Sequence, residues 1–380
     1  MSQDRRAVRA LLLVCAAGGA LFLVGVFSGR FTAGFALTRT FGYWDVARTL
    51  GPAAEAKGGR SRAAAAFLDP DRAEAEMDGY PWVPPHAPAP LLGAVSVASP
   101  HLPVQLGYRG SEVPSRDAPA GRFRIVLVGG STAFSVGAPR EAWTIGARMA
   151  HHLGDWRPGG RRVEVHTFAN PSWTSNQERA GVLNLVLPRD PDLVVSLSGV
   201  NDVVFAQLGR DPDFHRTHYE QTFFEASSLA HRLAGRGPLV DPVPAAGSAV
   251  ASARVLRRVT DNVAVLRFAL ERAGARYIYA LQPTLYTATR LSPREQAILS
   301  EQPAAKRRYF RRVYPELAAA VRETLGDDGF VDLSDVFARD AERAELYIDA
   351  YHFGDRGNDR IARALSDIIR SRGALAAANR

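Results

Sequence analysis

The stretch Phe123-Arg-Ile-Val-Leu-Val-Gly-Gly-Ser-Thr-Ala-Phe134 constrains this chain more than any other. Its apolar run, Ile125 to Val128, lacks polar alternation, the pattern of a strand buried on both faces of a parallel sheet. The run stops at Gly129-Gly130 and then presents Ser131 and Thr132. Open α/β sheets bind ligands beyond the carboxyl ends of their strands, where this serine would stand. Paired glycines let the backbone turn sharply and leave room around a small side chain. The stretch is not a phosphate-binding loop, because no Gly-Lys-Ser/Thr comes after it. Nor is it a dinucleotide fingerprint, because the third glycine of G-x-G-x-x-G is missing. On these residues alone two readings stand: a nucleophilic serine, or a strand-to-helix turn capped by Ser or Thr.

Downstream, strands and helices alternate. A helical stretch around Glu141 to Leu153 precedes Arg162-Val-Glu-Val-His-Thr-Phe168, which alternates like a strand. In the turn Asn170-Pro-Ser-Trp-Thr-Ser175, Thr174 or Ser175 suits the cap of a helix running to Leu187, which Pro188-Arg-Asp-Pro191 breaks. Asp192 to Ser198 is a second buried run and ends in Gly199-Val-Asn-Asp202. Residues 203–252 interrupt the rhythm and read as an insertion near the strand ends, where binding loops lie. The rhythm resumes with a helix over Ala253–Gly274, a strand over Arg276–Leu281, a helical stretch over Pro293–Leu325 and a short strand over Phe330–Leu333. The last helix, Asp359–Arg372, comes after Ile348-Asp-Ala-Tyr-His352. This alternation predicts a parallel sheet with helices on both faces.

The N-terminal quarter is different. Residues 7–27 are apolar apart from Arg9, and Ala10–Phe27 is charge-free, which at about 1.5 Å per residue is close to the length that crosses a bilayer. Arg5, Arg6 and Arg9 precede it, so residues 1–6 are expected to stay cytoplasmic and the bulk to be exported. An uncleaved signal anchor is the favoured reading over a cleaved signal peptide, because no clear A-x-A site lies beyond the run. Residues 28–103 read as a stalk and lead-in with a proline-rich extended linker, Tyr80 to Pro90. The main domain is expected over 104–374, with a tail at 375–380. The net charge of +8 comes almost wholly from scattered arginine, lysine occurring only at 57 and 306, which argues against a nucleic-acid partner. The single cysteine, Cys15, lies in the apolar segment and supports no disulfide, zinc site or catalytic thiol.

Two further features carry chemistry. Asp349-Ala-Tyr-His352 sets a carboxylate three residues before an imidazole, a spacing that can bring it to the ring Nδ1–H and leave Nε2 as a base. A surface ion pair at a helix start is the alternative. Asn201, beyond the end of a strand, can aim its side-chain N–H at an oxyanion or serve as an Asx-turn residue. His215 and His218, spaced i, i+3, read as a polar helix face and not as metal ligands. Ser175 and Ser198 read as capping and core residues, and Asp202 as ordering the Asn201 loop.

Four blocks together resemble the SGNH (GDSL-like) hydrolase superfamily, in the family's order: Gly129-Gly130-Ser131-Thr132, Asn170-Pro-Ser-Trp-Thr-Ser175, Gly199-Val-Asn-Asp202, and Asp349-Ala-Tyr-His352 with Gly357-Asn358. The resemblance covers roughly residues 104–372. It implies a three-layer αβα fold with a five-stranded parallel sheet, and ester hydrolysis or acyl transfer through a serine without metal or cofactor. It implies Ser131 as nucleophile, His352 as general base and Asp349 as the group orienting it. The oxyanion donors it implies are the Ser131 backbone N–H, the Asn201 side chain and the backbone N–H of Ser172, a position the family usually fills with glycine. With the anchor, this leads to the expectation of a membrane-bound bacterial serine esterase on the periplasmic side of the inner membrane. Its substrate is expected to be an O-acyl ester, such as an O-acetyl ester, on a carbohydrate or cell-envelope polymer. No residue in the sequence identifies a substrate-binding pocket. An O-acyltransferase with the same site, a non-catalytic glycan-binding protein and a secreted lipase are the alternatives.

Overall fold

In the computed structural model the described residues are 86–378 apart from 99–101, 111–112, 117–119, 139, 215, 217, 238, 242–247 and 339–344. The chain divides into two units, Met1–Asp45 and Val46–Arg380, and every described residue belongs to the second. The apolar segment 7–27, with Cys15 and the expected anchor, lies outside the described residues, as do His215 and the His218 side chain. Among the described residues no helix is long and apolar enough to cross a membrane.

The Ile125–Val128 run forms the middle of β5 (Arg122–Gly129), and all four side chains are fully buried. Each contributes about 1.5–3 kcal/mol on burial, so the run is a firm base for the turn beyond it. That turn is α1, a single helical turn over Ser131–Phe134. β5 pairs in parallel with β6 (Arg162–Ala169) on one side and with β7 (Leu193–Ser198) on the other. β7 pairs in parallel with β8 (Arg276–Leu281), and β8 with β9 (Phe330–Asp332). The parallel strands therefore run β6-β5-β7-β8-β9. Because β5 lies between its two successors, the loops after β5, β6 and β7 open onto one crevice at the carboxyl edge.

The sheet is wider than the expected five strands. Antiparallel β3 (Val104–Gln105) and β4 (Tyr108–Arg109) extend it past β6 to seven. Two-residue strands are too short to show a period, so they cannot be told from loop in the sequence. The proline-rich linker also needs correction. From His86 on it is β1 (His86–Ala89), paired antiparallel with β2 (Gly93–Ser96) in a separate hairpin. Both strands of a two-stranded sheet are edges, which is where Pro88 is tolerated without losing a ladder bond.

Helices α2 (Ile145–His152) and α9 (Asp355–Ala378) pack together on one face. On the other, α6 (Ser252–Arg272) packs against α3 (Ser175–Gly181) and α8 (Ala304–Gly329). Thr174 caps α3 in a capping box with Gln177. That helix leaves α geometry earlier than expected, passing into a π turn at Val182–Val186 and a 3-10 turn at Leu187–Arg189. Pro188, without an N–H, cannot continue the α ladder. The expected Pro293–Leu325 stretch is two helices, α7 (Pro293–Glu301) and α8. Pro303 forces Gln302 out of the helical region, to φ −72° and ψ 140°. The insertion carries α4 (Val200–Gln207) into its start and α5 (His218–Leu233) within it.

Candidate active site

Three loops meet at the crevice. The paired glycines are what let them. A Cβ on Gly129 would stand 2.4 Å from the Leu197 carbonyl oxygen of β7, and one on Gly130 would stand 2.4 Å from Asn201 Nδ2. Neither position has room for a side chain, so β5 can end against β7 and the Asn201 amide can reach the first turn of α1.

Ser131 is the first residue of α1, and its Oγ lies 2.8 Å from His352 Nε2. His352 Nδ1 lies 2.7 Å from Asp349 Oδ2. The other carboxylate oxygen, Oδ1, accepts the backbone N–H groups of Tyr351 at 2.8 Å and His352 at 2.9 Å. The three-residue spacing thus works through a loop closed on its own backbone, with one oxygen left for the ring. With Nδ1–H donating to the carboxylate, Nε2 is the nitrogen that accepts the Ser131 proton. Burial pushes the Asp349 carboxyl upward, yet the His352 charge and these hydrogen bonds outweigh it and hold it below its ordinary value.

The loop is pinned from several sides. Thr284 Oγ1 and the Leu285 N–H both donate to the Ala350 carbonyl at 3.1 Å. Thr132 Oγ1 donates to the Tyr351 carbonyl at 3.2 Å and accepts from Gln282 Nε2 at 2.8 Å, tying the serine's own turn to the histidine's. At the start of α7, Glu295 Oε1 accepts the Leu346 and Tyr347 N–H groups at 3.2 and 3.4 Å. Its neighbour Arg294 donates to the Tyr347 and Ile348 carbonyls at 3.0 and 3.4 Å.

Asn201 lies in the first turn of α4, and its Nδ2 donates to the Trp173 carbonyl at 2.7 Å. This joins the loop after β7 to the loop after β6. In the latter, Ser172 is buried and has φ +65°. A side chain in that left-handed region costs about 1–2 kcal/mol, whereas glycine adopts it freely. The backbone therefore keeps the conformation of a glycine position while carrying a serine. Among the described residues no protein acceptor takes the Ser131 or Ser172 backbone N–H. Ser172→Gly is expected to raise stability by about 1 kcal/mol, partly offset by the greater entropy of unfolded glycine, and a thermal melt reads it.

A buried acidic layer lies behind these loops. Asp202 accepts the Ser175 hydroxyl at 2.7 Å and its backbone N–H at 3.1 Å, binding the start of α3 to the first turn of α4. Asn262 Nδ2 of α6 donates to the same hydroxyl at 2.8 Å. Ser175 is thus a bridge between helices, and Thr174 is the cap. The Ser198 hydroxyl donates to Glu178, and Tyr277 donates to Ser196 at 3.1 Å. Burial raises Glu178 to about 7, opposed by the Ser198 hydroxyl and reinforced by the Asp202 charge. Burial likewise raises Asp202 to about 6 against its Ser175 hydrogen bonds.

These raised values fix a direction. From an ordinary 4.5 to about 7, folded Glu178 holds a proton that the unfolded chain has released. The Glu178 contribution to stability is therefore full below pH about 4.5, falls as pH rises through about 7, and is level above, a change on the order of 3 kcal/mol. Asp202 adds the same sign between 3.8 and about 6. Glu178→Gln is expected to flatten this slope, so its melting temperature should fall less between pH 5 and pH 8 than that of the wild type.

Arg109 and the α7 pair Arg294-Glu295 carry no motif, and the sequence reading missed them. Arg109 of β4 donates to the carbonyls of Phe134, Ser135 at 2.9 Å and Ala138 at 3.0 Å, and pairs with Glu141 at 3.1 Å. It neutralises the carbonyl end of α1 and fixes the turn that carries Ser131. Its place in a two-residue strand, too short to show a period, left no signal to find it by.

The GDSL-like Lipase/Acylhydrolase family profile matches residues 127–360, more than half of the 380-residue chain, and the protein belongs to this family. The fold is the SGNH type, α/β with a parallel-dominated sheet. Similar solved structures include TesA, at 16% identity over 66% of this chain and 99% of that one, with a TM-score of 0.37. The acetyl xylan esterase AlAXEase is 14% identical over 66% of this chain and 98% of that one, with a TM-score of 0.37. LAE5, an alpha/beta hydrolase enzyme from the metagenome of Lake Arreo in Spain, is 18% identical over 67% of this chain and 96% of that one, with a TM-score of 0.39. No curated protein sequence matches the chain.

Proposed function

We propose that the protein is a serine esterase that removes O-acyl groups, O-acetyl included, from a carbohydrate or cell-envelope polymer through an acyl-Ser131 intermediate. The observation carrying this reading is the unbroken line from Ser131 Oγ to His352 Nε2 and from Nδ1 to Asp349, at 2.8 and 2.7 Å. His352 takes the serine proton as Oγ attacks the ester carbonyl, then gives it to the departing alcohol. Water, activated by the same nitrogen, releases the acid in the second half. Asp349 stays ionised and steadies the imidazolium. The oxyanion faces the Ser131 and Ser172 backbone N–H groups and the Asn201 amide. In this reading residues 7–27 anchor the chain and the site faces the periplasm, which motivates an envelope polymer as substrate.

The test is a panel of p-nitrophenyl esters from acetyl to dodecanoyl, together with O-acetylated polysaccharides, measuring released acid. Release of short acyl groups that requires Ser131 supports the reading. Preference for long chains points to a lipase, and transfer to a sugar hydroxyl without free acid to an acyltransferase. Protease accessibility of the domain in spheroplasts but not in intact cells checks the periplasmic placement. Gly130→Ala is a further check: its methyl would occupy the space of the Asn201 amide. It is expected to cost about 10²–10³ in kcat, as loss of one oxyanion donor does.

A further inference from the structure

Ser172 holds a strained backbone, and strain of this kind persists only where the surroundings over-determine it. Part of what surrounds it comes from outside the family-matched region, which begins at residue 127. Asn170, fully buried at the end of β6, is the centre of the loop. Its N–H donates to the Gly129 carbonyl and its own carbonyl accepts from the Trp173 N–H, each at 3.2 Å. Its side-chain Nδ2 donates to the Pro171 carbonyl at 2.9 Å. Its Oδ1 accepts twice from one residue of β2: the Ser96 N–H at 2.6 Å and the Ser96 hydroxyl at 2.7 Å. His86 Nε2 of β1 lies 3.3 Å from the same hydroxyl. On the far side of Ser172, Trp173 Nε1 donates to the Ala94 carbonyl of β2 at 3.2 Å.

We infer that the β1–β2 hairpin is a positioning element for the oxyanion loop, with Ser96 the residue that keeps Ser172 in its left-handed conformation. The inference rests on the esterase reading above and adds to it a part of the machinery supplied by the N-terminal lead-in. The hairpin grips the loop on both sides of Ser172. If that grip loosens, Ser172 is free to relax toward negative φ, and the 171–172 peptide turns its N–H away from the oxyanion. Helix α5 of the insertion packs on both strands of the hairpin, so residues 203–252 back the same device.

The test uses the full-length chain with p-nitrophenyl acetate. Ser96→Ala is expected to lower kcat about tenfold with KM changed less than about twofold, the pattern of an interaction expressed in the transition state. Trp173→Phe removes the indole bond to Ala94 from the other side and is expected to act in the same direction. It also keeps the proposal testable if Ser96→Ala fails to fold. Ser172→Gly is the decisive background, because glycine needs no help to stay at positive φ. On that background Ser96→Ala and Trp173→Phe should each cost less than about twofold, the coupling expected when two sites act on one conformation. An undiminished loss on the glycine background would overturn the inference and leave Ser96 a residue of fold stability alone. A wild-type chain that turns over no ester overturns the esterase reading itself, which is a separate result.

Discussion

Ser131→Ala is expected to reduce kcat for p-nitrophenyl acetate by a factor on the order of 10⁶, leaving only what the oxyanion donors and binding supply. His352→Ala should cost nearly as much, and the double variant no more than either alone, because the pair act as one unit through a single 2.8 Å hydrogen bond. Asp349→Asn is informative because it keeps the shape. Its amide would offer an N–H to His352 Nδ1, now 2.7 Å from a carboxylate oxygen, and so drive the ring proton onto Nε2. A ring with its proton on Nε2 cannot accept from Ser131, and about 10⁴ should be lost with little change in KM. The backbone donors of Tyr351 and His352 that Asp349 now satisfies lose little, since the amide oxygen can still accept both. Steady-state kinetics on the four variants, each checked by its melting temperature, reads these expectations.

The second large effect concerns charge that appears only during reaction. Asn201→Ala should lower kcat about 10²–10³-fold and leave KM nearly unaltered. It also removes the 2.7 Å bond from Nδ2 to the Trp173 carbonyl, so part of the loss reflects the drifting of the two loops. Asn201→Asp separates the effects. The side chain keeps its size, but a carboxylate oxygen would face the Trp173 carbonyl and the developing oxyanion together. Activity should fall further than in the alanine variant. If alanine and aspartate variants lose equally little, Asn201 serves only the turn, and the oxyanion depends on the backbone donors.

The range of each interaction decides how much of it was legible in the sequence. The parallel strands were readable because Ile125–Val128 and Leu193–Ser198 are uninterrupted buried runs. Ser131, Ser172, Asn201, Asp349 and His352 could be singled out because each lies beside a local punctuation mark: paired glycines, a proline turn, a strand end or a three-residue spacing. The structure brings the five together at one edge of the sheet. Their supports left no such mark. Ser96 acts on Asn170 across 74 residues, and Glu295 on Leu346 across 51. Neither spacing has a period, and a serine in a proline-rich lead-in looks like any linker residue. Of the buried acids, Asp202 stood out beside Asn201, whereas Glu178 carries no motif and its burial follows only from α3 packing against α6 and the sheet. Ser172 shows the limit from the other side. The sequence exposed the substitution, but only φ +65° shows that the backbone conformation survives it.

The central claim is that Ser131 is a nucleophile activated by His352, and reaction with a fluorophosphonate probe tests it most directly. The full-length chain, Ser131→Ala and His352→Ala should be treated side by side and the modified residue located by mass spectrometry. Labelling of Ser131 in the wild type, none in Ser131→Ala and little in His352→Ala is the predicted result. A folded wild-type chain that takes up no probe, or one labelled equally well without His352, would contradict the account and make a binding role on an SGNH scaffold the leading reading.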